Sequence, residues 1–337
     1  MTYKLLSFFT LLTCFQVSIE MIYASAAPLV ISDTSAATTL NIKTTDNLPS
    51  KNAETTAFEA IPFHAKYKIE LDKKSHFDPG IHEVHGTLEM TVEDKGDSWM
   101  MQQKSTLYIY YKGKKSADKY DLTIASCEAK DGQSYEFYVR SISNDTNDEY
   151  ILKGDAKIPN EQPGYAQFNQ GEVKTITLPK GTLFPLNHLH ILIQEAIKGN
   201  ITVGQKRVMD GSSDAQEVVE VDAYITPETN DKLKINIKQT ASDQAALDFA
   251  NKLKMAKAWQ IKMNIFPLGS RDSSEPEYNY TQTINNFGIP LSMRIKYPDP
   301  EFTVLIKLTD FGKATTSNMT IDSLPSPHME ENSSTAH

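Results

Sequence analysis

The sequence predicts a mainly β fold: a curved antiparallel β-spiral or open barrel-like sheet with one amphipathic helix at about residues 185–198 and a second helical insertion at about 242–257. Three observations predict it. Short runs of alternating apolar and polar residues recur along the chain. Turn-forming pairs separate many of them. Only two stretches change to the spacing of a helical face.

The chain opens on a segment that reads as a secretory signal. Lys4 supplies a basic start, Leu5 to Val17 is mostly apolar, and Ala24-Ser25-Ala26 offers the small residues a signal peptidase inspects. Cleavage before Ala27 is expected. The apolar run is shorter than the roughly 20 residues a membrane span needs. Leu11-Leu12-Thr13-Cys14 also suggests lipidation at Cys14, although Thr13 is a poor residue before an acylated Cys. Export is therefore expected, with the mature chain soluble or held at a membrane only peripherally. Residues 27–57 are rich in Ser, Thr, Ala and Asn and read as a flexible linker. Residues 58–312 form the single predicted β-rich domain. Residues 313–337 resemble the linker in composition and are expected to be a disordered tail.

The first strand is predicted at Phe63–Leu71, where Phe63, Ala65, Tyr67, Ile69 and Leu71 share one face. Gly86–Val92, Trp99–Tyr111 and Ser134–Val139 follow, then Val218–Ile225, Leu233–Ile237 and Trp259–Phe266. Tyr278–Ile284, Leu291–Tyr297 and Phe302–Leu308 complete the series. Asp78-Pro79-Gly80, Lys112-Gly113-Lys114, Asp131-Gly132, Asp210-Gly211 and Asn286-Phe287-Gly288 supply turns. The first helix begins at Pro185, since proline suits a first helical position whose N–H has no partner. Leu189, Leu192, Ile193, Ala196 and Ile197 line one face, and Gly199-Asn200 stops it. This helix is expected on the sheet or in the mouth of a barrel. The second, Ser242–Lys257, has the thin stripe Leu247, Ala250, Leu253 and Ala256, as an exposed insertion would.

The formal net charge is −9, and it stays there when Lys4 and Glu20 leave with the signal. A mixed, acidic surface excludes nucleic acid as a partner, because phosphate neutralisation needs clustered Lys and Arg. With Cys14 removed, Cys127 is alone and no intramolecular disulfide can form. Cys127 reads as a strand residue acting as a small hydrophobe.

No catalytic residue set is recognisable. The chain has no Gly-x-Ser-x-Gly elbow, P-loop or dinucleotide fingerprint. Asp131-Gly132 and Asp210-Gly211 are explained by turn geometry rather than as paired carboxylates. No metal site is expected. His188 and His190 diverge by about 200° on a helix. His82 and His85 should point to opposite faces of a strand. His188, in the first turn of the first helix, is the most interesting single side chain. It either bonds to the Phe184-Pro185 loop or faces a cavity, where a neutral imidazole serves proton transfer. Tyr108, Tyr110, Tyr111, Tyr135, Phe137 and Tyr138 furnish either an ordinary core or the wall of an apolar cavity.

The segment Leu178-Pro179-Lys180-Gly181-Thr182-Leu183-Phe184-Pro185-Leu186-Asn187-His188, with Ala196 and Gly199, resembles the cell-envelope integrity EipB family of exported proteobacterial proteins. Further matching points are Gly86, Trp99, Glu128, Asp131-Gly132, Phe137, Gly154, Asp210-Gly211, Pro276 with Tyr278, and Asn286-x-Gly288 leading to Tyr297 and Asp299. The resemblance implies a periplasmic protein with a spiral-like β structure, similar in shape to lipoprotein carriers, that keeps the envelope intact under stress. It brings no catalytic residues. It also implies a disulfide between a Cys shortly before Trp99 and one near the domain's C-terminal end. Gly96 stands in the first place, and no Cys follows Cys127.

The expected function is non-enzymatic maintenance of the envelope by binding a lipid, a glycan or a periplasmic protein partner, with no cofactor. Phe184, Pro185, His188 and Trp99 are the candidate binding residues. Two rivals stand beside it: an envelope glycan or acyl hydrolase using His188, and a ligand-free structural scaffold.

Overall fold

A computed structural model describes residues 60–73, 80–144, 149–159, 162–211, 217–228, 251, 256–270, 275–298, 301–314 and 317–327. The expected strand Leu233–Ile237 lies outside these residues, as does nearly all of the expected second helix.

The first eight strands are β1 Phe63–Leu71, β2 Ile81–Asp94, β3 Ser98–Tyr111, β4 Asp118–Ala129, β5 Ser134–Ser143, β6 Glu149–Lys157, β7 Gly164–Asn169 and β8 Val173–Leu178. After the two-residue strand β9, Thr182–Leu183, comes helix α1, Pro185–Lys198. Strands β10 Thr202–Val208, β11 Val219–Glu228, β12 Ala258–Pro267, β13 Tyr278–Asn285, β14 Pro290–Pro298 and β15 Glu301–Gly312 complete the fold. Among the described residues the fifteen strands form one sheet, in the order β8-β7-β6-β5-β4-β3-β2-β1-β15-β14-β13-β12-β11-β10-β9. Every pairing is antiparallel except β9 with β10. Its two edges, β8 and β9, are joined in sequence by Pro179-Lys180-Gly181, where Thr182 N–H donates to Pro179 O at 3.1 Å. The sheet therefore rolls up until its edges meet through a turn.

The alternation read from the sequence is the alternation of the roll. On β1, Phe63, Ala65, Tyr67, Ile69 and Leu71 are buried on one face. Leu88 and Met90 of β2, Ile124 of β4, Val139 of β5 and Ile306 of β15 join them in one continuous core. Helix α1 packs against β10 and β11 and adds Leu186, Leu189, Leu192, Ile193 and Ala196. Burial of this apolar area, at about 25 cal/mol per Å², holds the roll together. The helix ends at Gly199, which is left-handed at φ 86, while Asn200 N–H donates to Glu195 O at 2.9 Å.

Two local expectations change. A bulge between Ile81 and Glu83 shifts the register of β2 on β3. It sets His82 and His85 against the same ring, Tyr110, at centroid distances of 5.9 and 5.3 Å, rather than on opposite faces. Within the stretch whose composition suggested a disordered tail, Ser317–Leu324 packs on the outer face of the sheet. Ile321 is buried there, and the main-chain carbonyls of Ser317 and Leu324 accept from Lys95 and Lys153. Composition misses this because three apolar side chains in an otherwise polar segment are enough to anchor it.

Candidate functional site

Helix α1 starts with a donor problem. Phe184, at the N-cap, has no side chain that can accept a hydrogen bond. Pro185 has no N–H to satisfy. Leu186 and Asn187 each present a free N–H toward the interior. Glu128, near the end of β4, solves it from 58 residues away. Its two carboxylate oxygens accept from Leu186 N–H at 2.8 Å and Asn187 N–H at 2.7 Å. The next donor, His188 N–H, turns back to Phe184 O at 2.9 Å. A carboxylate at the positive end of a helix is also favoured by the aligned peptide dipoles.

Glu128 is buried, and burial pushes its carboxyl up to about 7 despite the two N–H groups that draw it down. Trp99 lies directly opposite Glu128 on β3 and Tyr135 on the other side, on β5. Lys130 Nζ stands 4.7 Å from the Trp99 ring centroid and pairs with Asp94 at 2.6 Å. The Tyr135 ring stacks on Phe184 at 5.2 Å, and its hydroxyl donates to Asp210 O at 2.8 Å. Phe137 continues the stack, 5.6 Å from Tyr135. Two glycines make room for it. A Cβ on Gly154 would fall 2.1 Å from the Phe137 ring, and one on Gly211 would fall 2.4 Å from it. Gly132, in the β4–β5 turn at φ 72, leaves similar space for the Asn187 side chain.

The four candidate residues are thus brought to one place. Phe184 and Pro185 begin the helix, His188 completes its first turn, and Trp99 reaches them through Glu128. All four are buried. His188 is fully enclosed, and burial, with Lys206 adding to it, pulls its imidazole down to about 3. Burial likewise lowers His190 to about 4. The His188 imidazole is thus enclosed within this module and held neutral. Among the described residues no group of three or more His, Cys, Asp or Glu side chains is placed to hold a metal ion. None of their helices is long and apolar enough to cross a membrane.

Glu128 stands in the sequence as a point of resemblance with no role attached. Its signal was its phase: on β4 it follows Tyr120, Leu122, Ile124 and Ser126 on the inward face. A carboxylate at an inward position needs a partner.

The family model of the EipB-like proteins matches residues 54–313. The chain belongs to the EipB-like family. Comparison with curated proteins returns no match. Among solved structures, the chain is similar to a β-barrel-like protein of the domain of unknown function DUF1849 from Brucella abortus. The TM-score is 0.61 at 21% identity, covering 77% of this chain and all of that one. At that identity the likeness concerns the fold. Several of the points of resemblance acquire a shared reason here. Trp99, Glu128, Gly132, Phe137, Gly154, Gly211 and the Leu178–His188 segment are neighbours around the start of α1.

Proposed function

We propose that this EipB-like protein is exported to the periplasm and maintains the cell envelope without catalysis, by binding a protein partner or envelope component on its rolled sheet. Membership of the EipB-like family carries the reading, since the resemblance implies an envelope role and no catalytic residues. The packing favours binding on the roll over binding within it. Tyr67, Phe137, Phe168, Leu88 and Met90 fill the inner face. Cavities of about 460 and 650 Å³ open among outward-facing polar residues such as Glu136, Lys153 and Asp155, and Lys68, Glu70 and His85.

The rival hydrolase would need His188 to meet substrate. With its ring enclosed and its protonation disfavoured, proton transfer there would require the helix to leave the roll first. Deleting the gene should sensitise cells to envelope stress, and the wild-type chain should restore resistance. His188→Gln, if it folds, should restore it as well. A deletion strain with unchanged detergent and antibiotic sensitivity would remove the envelope role. Loss of complementation by a folded His188→Gln protein would revive the hydrolase.

A further inference from the structure

A second apolar cluster lies outside the roll. Met100, Ala125, Tyr138 and Ile151 face outward from β3, β4, β5 and β6, and Ile321 covers them. An apolar patch on the solvent face of a sheet marks a binding surface. Here its occupant belongs to the same chain. Ser317–Leu324 passes from the β2–β3 turn to β6. Ser317, Met319 and Ile321 turn toward the sheet, while Asn318 and Thr320 turn away, as in an extended peptide, and the segment then closes in a turn where Leu324 N–H donates to Ile321 O at 3.2 Å.

Its main chain is held at both ends. Ser317 N–H donates to a Glu93 carboxylate oxygen at 2.8 Å, and Lys95 Nζ donates to Ser317 O at 2.6 Å. Lys153 Nζ donates to Leu324 O at 2.5 Å, and Gln102 Nε2 donates to Met319 Sδ at 3.1 Å. Contacts to the main chain accept many sequences, and the apolar seats select among them.

The segment fits its groove incompletely. One cavity of about 320 Å³ remains beside residues 317–321, floored by Met100, Cys127 and Glu136. The cavity of about 460 Å³ lies on the other side, against Ile321 and Asp322. The charge is mismatched as well. Register aligns Met100, Cys127, Glu136, Asp155 and Gln167 across five strands. Asp322 is set against Glu136 and Asp155. Burial raises the Glu136 carboxyl, Asp322 and Asp155 raise it further, and Lys157 opposes them, with Lys153 lining the same cavity. A segment tethered to its own groove has a millimolar effective concentration, so even a poor fit keeps the groove covered. A better-matched segment in trans displaces it.

We propose that the outer face of β3–β6 is a peptide-binding groove. Ser317–Leu324 occupies it in cis, and its partner is a polypeptide segment, extended at first and then turning, with apolar residues in the places of Met319, Ile321 and Leu324 and a basic residue in the place of Asp322. This deepens the binding reading above by naming the partner's chemistry. It is tested in vitro, apart from any envelope phenotype.

The test uses a chain ending at Ala314 and fluorescent peptides spanning residues 316–326, read by polarisation. The D322K peptide should bind this chain about tenfold more tightly than the native peptide, with the gap narrowing as salt rises. The I321D peptide should not bind. Intact protein should bind the D322K peptide at least tenfold more weakly than the shortened chain does, because its own segment competes. No saturable binding of the D322K peptide would overturn the groove. Native peptide binding as tightly as D322K would overturn the basic partner and point to a second copy of this chain. If the shortened chain loses its cooperative thermal unfolding, full-length Ile321→Asp replaces it. The D322K peptide must then bind this variant more tightly than wild type, and failure to do so overturns the proposal.

Discussion

Glu128 accepts the main-chain N–H of Asn187 at 2.7 Å from the end of a strand that the chain left 59 residues earlier. With the Leu186 bond it makes a side chain of β4 the N-terminal cap of α1. Glu128→Ala would leave two buried N–H groups unpaired, at roughly 1–3 kcal/mol each. The expected loss is about 2–6 kcal/mol, read as a lower midpoint in urea. Glu128→Gln keeps one acceptor oxygen but aims an amide donor at the second N–H, so it should fall between Ala and wild type. A Glu128→Ala midpoint equal to wild type would mean that the helix holds its place by apolar packing alone.

Glu128 and His188 sit at the same helix start, and their protonation pulls stability in opposite directions. Glu128 is raised from 4.5 to about 7 on folding. Its contribution is fully present below pH 4.5 and is lost as pH rises through 7. His188 is lowered from 6.5 to about 3. Its contribution is present above pH 6.5 and is lost as pH falls toward 3. Between pH 4.5 and 6.5 the two slopes oppose, each at most about 1.4 kcal/mol per pH unit. Wild-type stability should therefore vary little there on their account. In Glu128→Gln stability should fall more steeply with acid than in wild type. In His188→Phe it should rise relative to wild type as pH falls from 6.5 to 4.5. Urea midpoints at half-unit pH steps separate the three curves. Parallel curves would refute the opposition.

Phe137 imposes its own test through the glycines around it. A methyl on Gly154 would meet the Phe137 ring at 2.1 Å and Gln167 O at 2.4 Å. The second of these is backbone and cannot swing aside. Gly154→Ala should cost at least about 1–3 kcal/mol, the usual cost of overpacking. Gly211→Ala adds the penalty of φ 71 to a 2.4 Å approach to the same ring and should cost as much or more. Gly312→Ala is the control, since nothing lies within 4 Å of its Cβ position. Its midpoint should stay within about 0.5 kcal/mol of wild type.

The parts of the fold that were legible share a physical cause. Phe63–Leu71 alternates strictly because one face of β1 is core and the other is solvent, and the predicted strand is the observed one. Pro185–Lys198 was legible from both ends, with proline at N1, an apolar stripe and a glycine stop. β8 was not, because Val173-Lys174-Thr175-Ile176-Thr177 is mostly exposed on both faces and has no period to read. β10 was hidden by Gly204 and by Gln205, which takes φ 41 where the register with β11 shifts. At the site, Phe184, Pro185 and His188 were legible as a local helix start. Their dependence on Glu128 was not, because no local pattern records which distant strand supplies a cap.

Gly96 takes φ 95 in the turn between β2 and β3, a backbone that suits glycine better than cysteine. The resemblance implies a disulfide from this region to the C-terminal end of the domain. In this chain the neighbouring Glu93 and Lys95 clasp Ser317 instead. Burial pushes the Glu93 carboxyl up, but Lys95 and Ser317 outweigh it and hold it below its usual 4.5. Its contribution is therefore present above pH 4.5 and is lost as pH falls through the lowered value. A clasp of this kind opens in acid, which a disulfide would not do. Hydrogen exchange at residues 317–324 should quicken as pH drops below 4.5, after correction for intrinsic rates. Glu93→Gln should quicken it already at neutral pH. Because Ile321 seats in a cluster separate from the main core, the unfolding midpoint of the roll should move by less than about 1 kcal/mol in that variant. Unchanged exchange in Glu93→Gln would assign the hold on the segment to its apolar seats and Lys153 alone.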